Sequence, residues 1–372
     1  MSGIYVHIPF CRRRCNYCDF YFITNTKLLE EYLISLKKEM SIYSGKHRNQ
    51  RFNSVYFGGG TPSILTAKDF YSVINELHKN FNIDSDSEIS IEANPEDFTG
   101  VNFRDYHSSG ISRISFGVQS FIDSELKFLS RQHTSSQAVK IIKLAGEFFE
   151  NINLDLIYSL PEQKFFDLEY SLNTALSLGI KHISAYTLTF EEKTLLFKML
   201  TDEIVKRNSS DTEGRFYRFV SDKLISSGFK HYEVSNFAIN GFECRHNLKY
   251  WNFDCYLGLG PSSHSFMENE RWNNVKSISG YINSLHKNIL PIEEKYKPTI
   301  IQSKLEFIML SLRSGGINFK KYEEKFKCNF IQEYSNSVSA LTKNKYAIND
   351  GYKFSLNEDG YAIADEIIAR YF

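Results

Sequence analysis

The chain has 372 residues, 42% of them hydrophobic and 24% charged, with 44 basic and 44 acidic side chains. A core of that size needs no disulfide staples, and a formal net charge of zero argues against a broad nucleic-acid or membrane surface. No run approaches the ~18 consecutive apolar residues of a membrane span. The apolar stretch at 4–10 is short, contains His7 and has its arginines on the wrong side for a signal peptide. The chain therefore reads as cytoplasmic, with no nucleic-acid partner and at most transient membrane association. Six cysteines in a reducing compartment point to metal or catalysis rather than disulfides.

Short runs rich in Ile, Val, Tyr and Phe at 3–8, 54–57, 88–92, 113–117, 153–157 and 182–188 read as buried strands. Between them lie helical periodicities. The stretch 28–43 puts Leu29, Leu33, Leu36 and Met40 on one face, and 68–81, 135–149, 166–179 and 194–207 behave similarly. Alternating strand and helix implies an α/β fold with parallel pairing and right-handed crossovers. Six units are too few for a closed eight-unit barrel, so a partial barrel or an open parallel sheet fits the count. A doubly wound sheet is the alternative that periodicity leaves open.

After about residue 210 the pattern changes. A helix at 213–228 ends at Gly228, and 231–272 is dense in Tyr, Phe, Trp, Asn, Gly and His. From Thr299 the chain is helical again, with a hairpin at 346–357 around Asn349-Asp350-Gly351 and a last helix at 359–371. Helices, hairpin and helix suggest a small winged-helix-like module. Its mixed charges favour a structural or covering role over DNA binding. The expected divisions are 1–230, 231–298 and 299–372.

Cys11, Cys15 and Cys18 form C-x3-C-x2-C directly after the first strand. Short loops of thiolates hold iron–sulfur clusters, and three cysteines leave the fourth iron of a cubane open to a ligand that is not protein. Zinc would want four ligands; His7 is the nearest fourth candidate, but it sits inside a strand. Coincidence of buried cysteines is the remaining reading.

The spacing resembles the signature of the radical S-adenosylmethionine (SAM) superfamily, with an aromatic, Tyr17, before the last cysteine. That resemblance implies a [4Fe–4S] cluster on Cys11, Cys15 and Cys18, SAM chelating the open iron, and a deoxyadenosyl radical formed by one-electron cleavage.

Polar groups follow five consecutive strands: Gly58-Gly59-Gly60-Thr61-Pro62, Glu92-Ala93-Asn94-Pro95, Gly117-Val118-Gln119-Ser120, Asp155 with Leu160-Pro161, and Tyr186 with Thr189. Each alone is commonly a turn, a cap or an ion-pair partner. Together they point to one site at the mouth of the sheet. These runs are similar to one subgroup over essentially the whole chain, the coproporphyrinogen dehydrogenase and HemW-type family. The resemblance implies a partial (β/α)6 radical SAM barrel with a smaller, mostly helical C-terminal domain. Tyr5, Gly59, Gly60, Thr61 and Glu92 would contact SAM, and Gln119, Arg131 and Asp155 would line the adenosyl pocket. Carboxylates at Glu92 and Asp155 suit ribose hydroxyls, and Arg131 suits a carboxylate. Ser159 stands where the family commonly has Gly, a change expected to be tolerated.

Within that family two functions compete. An oxygen-independent coproporphyrinogen III dehydrogenase would make protoporphyrinogen by radical decarboxylation. A haem chaperone would bind haem and hand it to apoproteins, as a monomer or homodimer. The dehydrogenases carry a further cysteine two residues after the third, and here that residue is Phe20. His246-Asn247-Leu248-Lys249-Tyr250-Trp251 is similar to the HemW-type haem-binding motif and makes His246 the candidate haem ligand. A lone histidine is otherwise a hydrogen-bonded structural residue. Cys244, Cys255 and Cys328 read as buried thiols, and 258–264 as a Gly-rich turn able to cover the site. The expected function is that of the chaperone.

Overall fold

The computed structural model describes residues 1–98 and 103–372. Strands β1 (Ser2–Ile8), β2 (Arg51–Gly59), β3 (Asn82–Ala93), β4 (Arg113–Gln119), β5 (Asn151–Tyr158) and β6 (His182–Thr187) lie side by side in chain order, all parallel. A doubly wound sheet would reverse its strand order at a switch point; this order does not reverse. The six-unit partial barrel is the observed fold.

The period of two along each strand sorts its side chains. On β1, Ile4, Val6 and Ile8 join Leu36 and Met40 of the helix Leu29–His47 in the main core. Gly3, Tyr5 and His7 face the barrel interior beside Ser54, Tyr56 and Gly58 of β2. The helix expected at 194–207 is shorter than its periodicity, spanning Leu195–Thr201. Its hydrophobic spacing continues, but Glu203 takes a left-handed conformation (φ 58°) and ends the turn.

Residues 231–298 hold strands that short, Asn- and Gly-interrupted runs did not reveal. β7 (Lys230–Glu233) and β8 (Asn236–Ala238) extend the sheet antiparallel beyond β6. β9 (Tyr256–Leu259) pairs parallel with β1, and β10 (His264–Met267), β11 (Glu270–Asn274) and β12 (Ile292–Tyr296) continue outward antiparallel. The result is a twelve-stranded sheet.

The C-terminal region packs a second core of Phe307, Leu312, Tyr322, Leu341 and Phe354, joined by Phe253 and Phe266 from the preceding segment. Its hairpin, β14 (Ala347–Asn349) and β15 (Lys353–Leu356), is joined by the short β13 (Ile317–Asn318). Asp350 caps the turn by accepting the Tyr352 and Lys353 N–H groups. The last helix is broken into Glu358–Tyr361 and Ala364–Tyr371. Among the described residues no helix is long and apolar enough to cross a membrane.

Glu39 ties the helix Leu29–His47 to this edge of the sheet. Fully buried, it accepts the Gly260 N–H (2.8 Å), the Tyr281 hydroxyl (2.7 Å) and the Asn274 amide (2.6 Å). Burial outweighs these donors and raises its pKa to about 7. The folded chain then holds this proton more tightly than the unfolded chain. The contribution is complete below the ordinary glutamate range and is lost as pH rises to about 7. We expect Glu39→Gln to flatten the pH dependence of unfolding between pH 5 and 8 by on the order of 2 kcal/mol, measured by urea titration. An unchanged slope would show that Glu39 stays ionised throughout.

Candidate functional site

The loop carrying the three cysteines is fastened at its base. The Cys11 N–H donates to the Ile23 carbonyl (2.9 Å) and the Ile23 N–H to the Pro9 carbonyl (2.7 Å). Asn16 fixes the tip through the Phe128 carbonyl (2.6 Å), while its own carbonyl accepts the Leu196 N–H (2.9 Å). All six cysteines are free thiols. Burial pushes Cys11 up to about 12 and raises Cys18. Coordination to cations reverses that balance and deprotonates a thiol outright.

Cys11, Cys15 and Cys18 all face a cavity of about 980 Å³ at the C-terminal ends of the strands. Tyr17, Gly59, Gly60, Thr61, Glu92, Gln119, Arg131 and Asp155 line the same cavity, so eleven of the thirteen residues singled out from the sequence meet in one place. Tyr5 lies one rung below, where its hydroxyl meets His7 Nδ1 (3.0 Å). His246 lies farther still.

Three thiols on one loop, with polar walls facing them, fit a cluster whose open iron takes a small ligand. Among the described residues no three His, Cys, Asp or Glu side chains converge closely enough to share a single ion; cubane thiolates bind different irons and need no common point. His7, the fourth ligand a zinc site would need, is occupied by Tyr5 and the Tyr21 carbonyl (3.3 Å).

The walls are held by a network that composition does not reveal. Thr61 Oγ1 donates to Cys11 Sγ (3.3 Å) and accepts the Asn94 amide (3.2 Å). Arg131 reaches Asn94 Oδ1 (2.5 Å), the Gly117 carbonyl (2.7 Å) and Cys15 Sγ (3.5 Å). Its Nε is buried without a hydrogen-bond partner among the described residues, and Glu96 Oε2 lies 3.8 Å from its Nη2. Glu92 accepts the Tyr56 hydroxyl (2.9 Å) and the Gly59 N–H (3.2 Å). Burial, then the charge of Asp155, raises Glu92 to about 7. Asp155 accepts from Asn153 (2.7 Å) and Ser115 (3.2 Å), and burial raises its pKa as well.

Two backbone positions explain residue choice. Gly59 has φ 108°, and a Cβ there would come within 2.5 Å of the His7 ring. Ser159 sits at φ 61°, the left-handed region that favours Gly; Asn208 holds it in place by donating to both its hydroxyl (3.0 Å) and its carbonyl (3.1 Å).

His246 is fully buried at the opposite, N-terminal end of the strands. Nδ1 meets Ser54 Oγ (3.1 Å) and Nε2 meets the Tyr250 hydroxyl (2.9 Å). The expected haem ligand thus has no ring nitrogen open to iron. Cys244 is buried, while Cys255 and Cys328 are half-buried. The turn at 258–264 does not cover the cavity; Gly260 packs behind β1 on the His7 carbonyl.

A model of the radical SAM superfamily matches residues 5–175. The chain is 30% identical to the Heme chaperone HemW of Lactococcus lactis, covering 100% of this chain and 97% of the relative. It is 32% identical to that of Bacillus subtilis, covering 100% and 99%. The chain belongs to the HemW family of radical SAM proteins. The coproporphyrinogen III oxidase HemN of Escherichia coli, a radical SAM enzyme, matches with a TM-score of 0.85 over 99% of this chain and 89% of that one, at 20% identity. That likeness speaks for the fold alone.

Sequence reasoning passed over Tyr56 and gave Asn94 no role. The signal for Tyr56 was its alternation with Ser54 and Gly58 on the inward face of β2. We expect Cys11→Ser, Cys15→Ser and Cys18→Ser each to lose the iron and the broad visible absorption of anaerobically purified protein, with the fold retained by circular dichroism. Zinc without iron in the parent protein would overturn the cluster assignment. Gly59→Ala should destabilise the chain by about 1–3 kcal/mol, the cost of strained backbone and overpacking, read by denaturant unfolding.

Proposed function

We propose that the protein is a haem chaperone: it binds haem and passes it to apoproteins, holding a [4Fe–4S] cluster and SAM in the cavity at the strand ends. Kinship over the full length of the chain to proteins named for haem chaperoning carries this reading. Phe20 supports it further. It lines the cavity with 67% of its surface exposed, at the position where the dehydrogenases carry a fourth cysteine.

Cys11, Cys15 and Cys18 would hold the cluster. Bound together, cluster and SAM supply one-electron chemistry at sulfur. The chain's own residues bind and orient. The Gly59–Gly60 backbone lets a ligand approach closely without side chains in the way. Glu92 and Asp155 accept hydrogen bonds from hydroxyl groups, and the Arg131 guanidinium, fixed by Asn94 and the Gly117 carbonyl, brings its positive charge to the cavity wall for a carboxylate. Tyr17 packs beside Leu129, Leu188 and Leu196, a small apolar cluster that shields this side of the loop.

The competing reading, coproporphyrinogen III dehydrogenation, has the likeness of fold in its favour and lacks the fourth cysteine. Anaerobic incubation with coproporphyrinogen III, SAM and a reductant should yield no protoporphyrinogen. Haem added to the same preparation should give a saturable, sharpened Soret band that is lost to an added apo-haemoprotein. Appreciable protoporphyrinogen would replace the chaperone reading with the enzymatic one.

A further inference from the structure

The H-N-x-x-Y-W run is similar to a haem motif, yet its histidine lies on the floor of the barrel, away from the cavity mouth. Three strands present a ladder of inward residues there. Gly3, Tyr5 and His7 come from β1, Ser54, Tyr56 and Gly58 from β2, and Glu88, Ser90 and Glu92 from β3. His246 fills the lowest rung. A Cβ on Gly3 would lie 2.9 Å from His246 Nδ1, so that rung accepts the imidazole only because residue 3 has no side chain. Ser54 meets Nδ1, Tyr250 meets Nε2, and Glu88 accepts the His246 N–H (3.4 Å). A histidine with both nitrogens partnered and no exposure is shaped by its surroundings.

What lies directly above it matters more. The Tyr56 ring stacks on the His246 ring, with centroids 5.3 Å apart and planes at 26°. Tyr5 completes the group, 6.4 Å from both rings. The Tyr56 hydroxyl then donates to Glu92 Oε1, while Glu92 Oε2 accepts the Gly59 N–H. A Cβ on Gly58 would lie 3.0–3.1 Å from the Tyr56 ring, the Tyr5 ring and Glu92 Oε1 alike. The column has no slack. A single line of contact therefore runs from His246 through Tyr56 to Glu92 and the glycine turn of the cavity wall.

We propose that His246 is a positioning residue for the SAM pocket. By closing the floor beneath Tyr56 it fixes the Tyr56 hydroxyl, and through it the Glu92 carboxylate and the Gly59 turn. The proposal rests on the reading that SAM occupies the cavity. It assigns the motif to cofactor binding through the barrel and assigns the imidazole no bond to haem iron. A small substitution at 246 leaves a void under Tyr56, frees its ring to tilt and loosens the hydroxyl that aims Glu92. A Gln at 246 keeps a donor and an acceptor for Ser54 and Tyr250 and largely fills the rung.

The test is equilibrium SAM binding to anaerobically reconstituted protein, followed by calorimetry, beside a haem titration followed at the Soret band. His246→Ala should weaken SAM about tenfold or more while leaving cluster iron content and the haem spectrum unchanged, and His246→Gln should restore most of the affinity. Tyr56→Phe keeps the stack and removes only the hydroxyl; it should weaken SAM to a similar degree, and it carries the test should His246→Ala fail to fold. SAM affinity unchanged in Tyr56→Phe would overturn the proposal. So would a His246→Gln protein that binds SAM normally but loses the parent Soret band, since that pattern is the signature of an axial ligand. Parent protein that binds no SAM would end the reading of the cavity, and the proposal with it. Parent protein that binds SAM but no haem would end the chaperone reading and leave the positioning role standing.

Discussion

The inner face of β1–β6 is lined with polar side chains that water hardly reaches, and each must find its partner inside the barrel. The strands alone do not supply enough of them. Under Glu92 the line runs through Tyr56 to His246. Under Asp155 a second line runs through Asn153, whose carbonyl oxygen meets His182 Nδ1 (2.5 Å), to Tyr232, whose hydroxyl meets His182 Nε2 (2.7 Å). Tyr232 then accepts the Cys244 N–H (3.3 Å). Both lines end on residues 232–250, outside the six α/β units. Leaving one such buried group unpaired costs about 1–3 kcal/mol, so the segment that closes the floor is bound energetically to the acids at the mouth.

This arrangement divides the barrel along its axis. At the C-terminal ends, loops carry thiols, glycines and carboxylates around a cavity, as parallel barrels do where chemistry is placed. At the N-terminal ends the same strands meet a packed floor of His246, Cys244 and the fully buried Arg113. Burial works against the Arg113 charge, but the Glu88 carboxylate beside it favours the ionised guanidinium. Burial conversely drives His246 down to about 3, so the imidazole is neutral and serves as a hydrogen-bonding spacer. The mouth is shaped to receive a ligand, and the floor to keep the mouth in register.

The electrostatics of the mouth follow from the same packing. Glu92 and Asp155 are drawn into one cavity, where burial raises both and the Asp155 charge makes ionisation of Glu92 harder still. Donors from Tyr56, Gly59, Asn153 and Ser115 recover part of that cost. Hydroxyl donors on a ligand would recover more from the two acids, which stand on β3 and β5 with β4 between them.

Much of this was legible in the sequence. The C-x3-C-x2-C spacing put three thiols on one short loop after the first strand, and all three face the cavity. The alternation of apolar strands with amphipathic helices implied parallel pairing, while the strand order that excludes a doubly wound sheet came from the structure. The polar residues after successive strands set the cavity wall. Other features needed the tertiary structure. Strands β7–β12 were hidden because three- to five-residue strands carry too little periodicity to register and are held by neighbours distant in the chain. The place of His246 on the floor was hidden because a motif records which residues occur together and not which end of a barrel they occupy. The sequence by itself determined the chemistry available, from cysteines, carboxylates and an arginine at strand ends. Only the tertiary structure decided which of those groups face the cavity and which are spent holding its floor, because that depends on burial and on partners distant in the chain, such as Ser54 and His246, 192 residues apart.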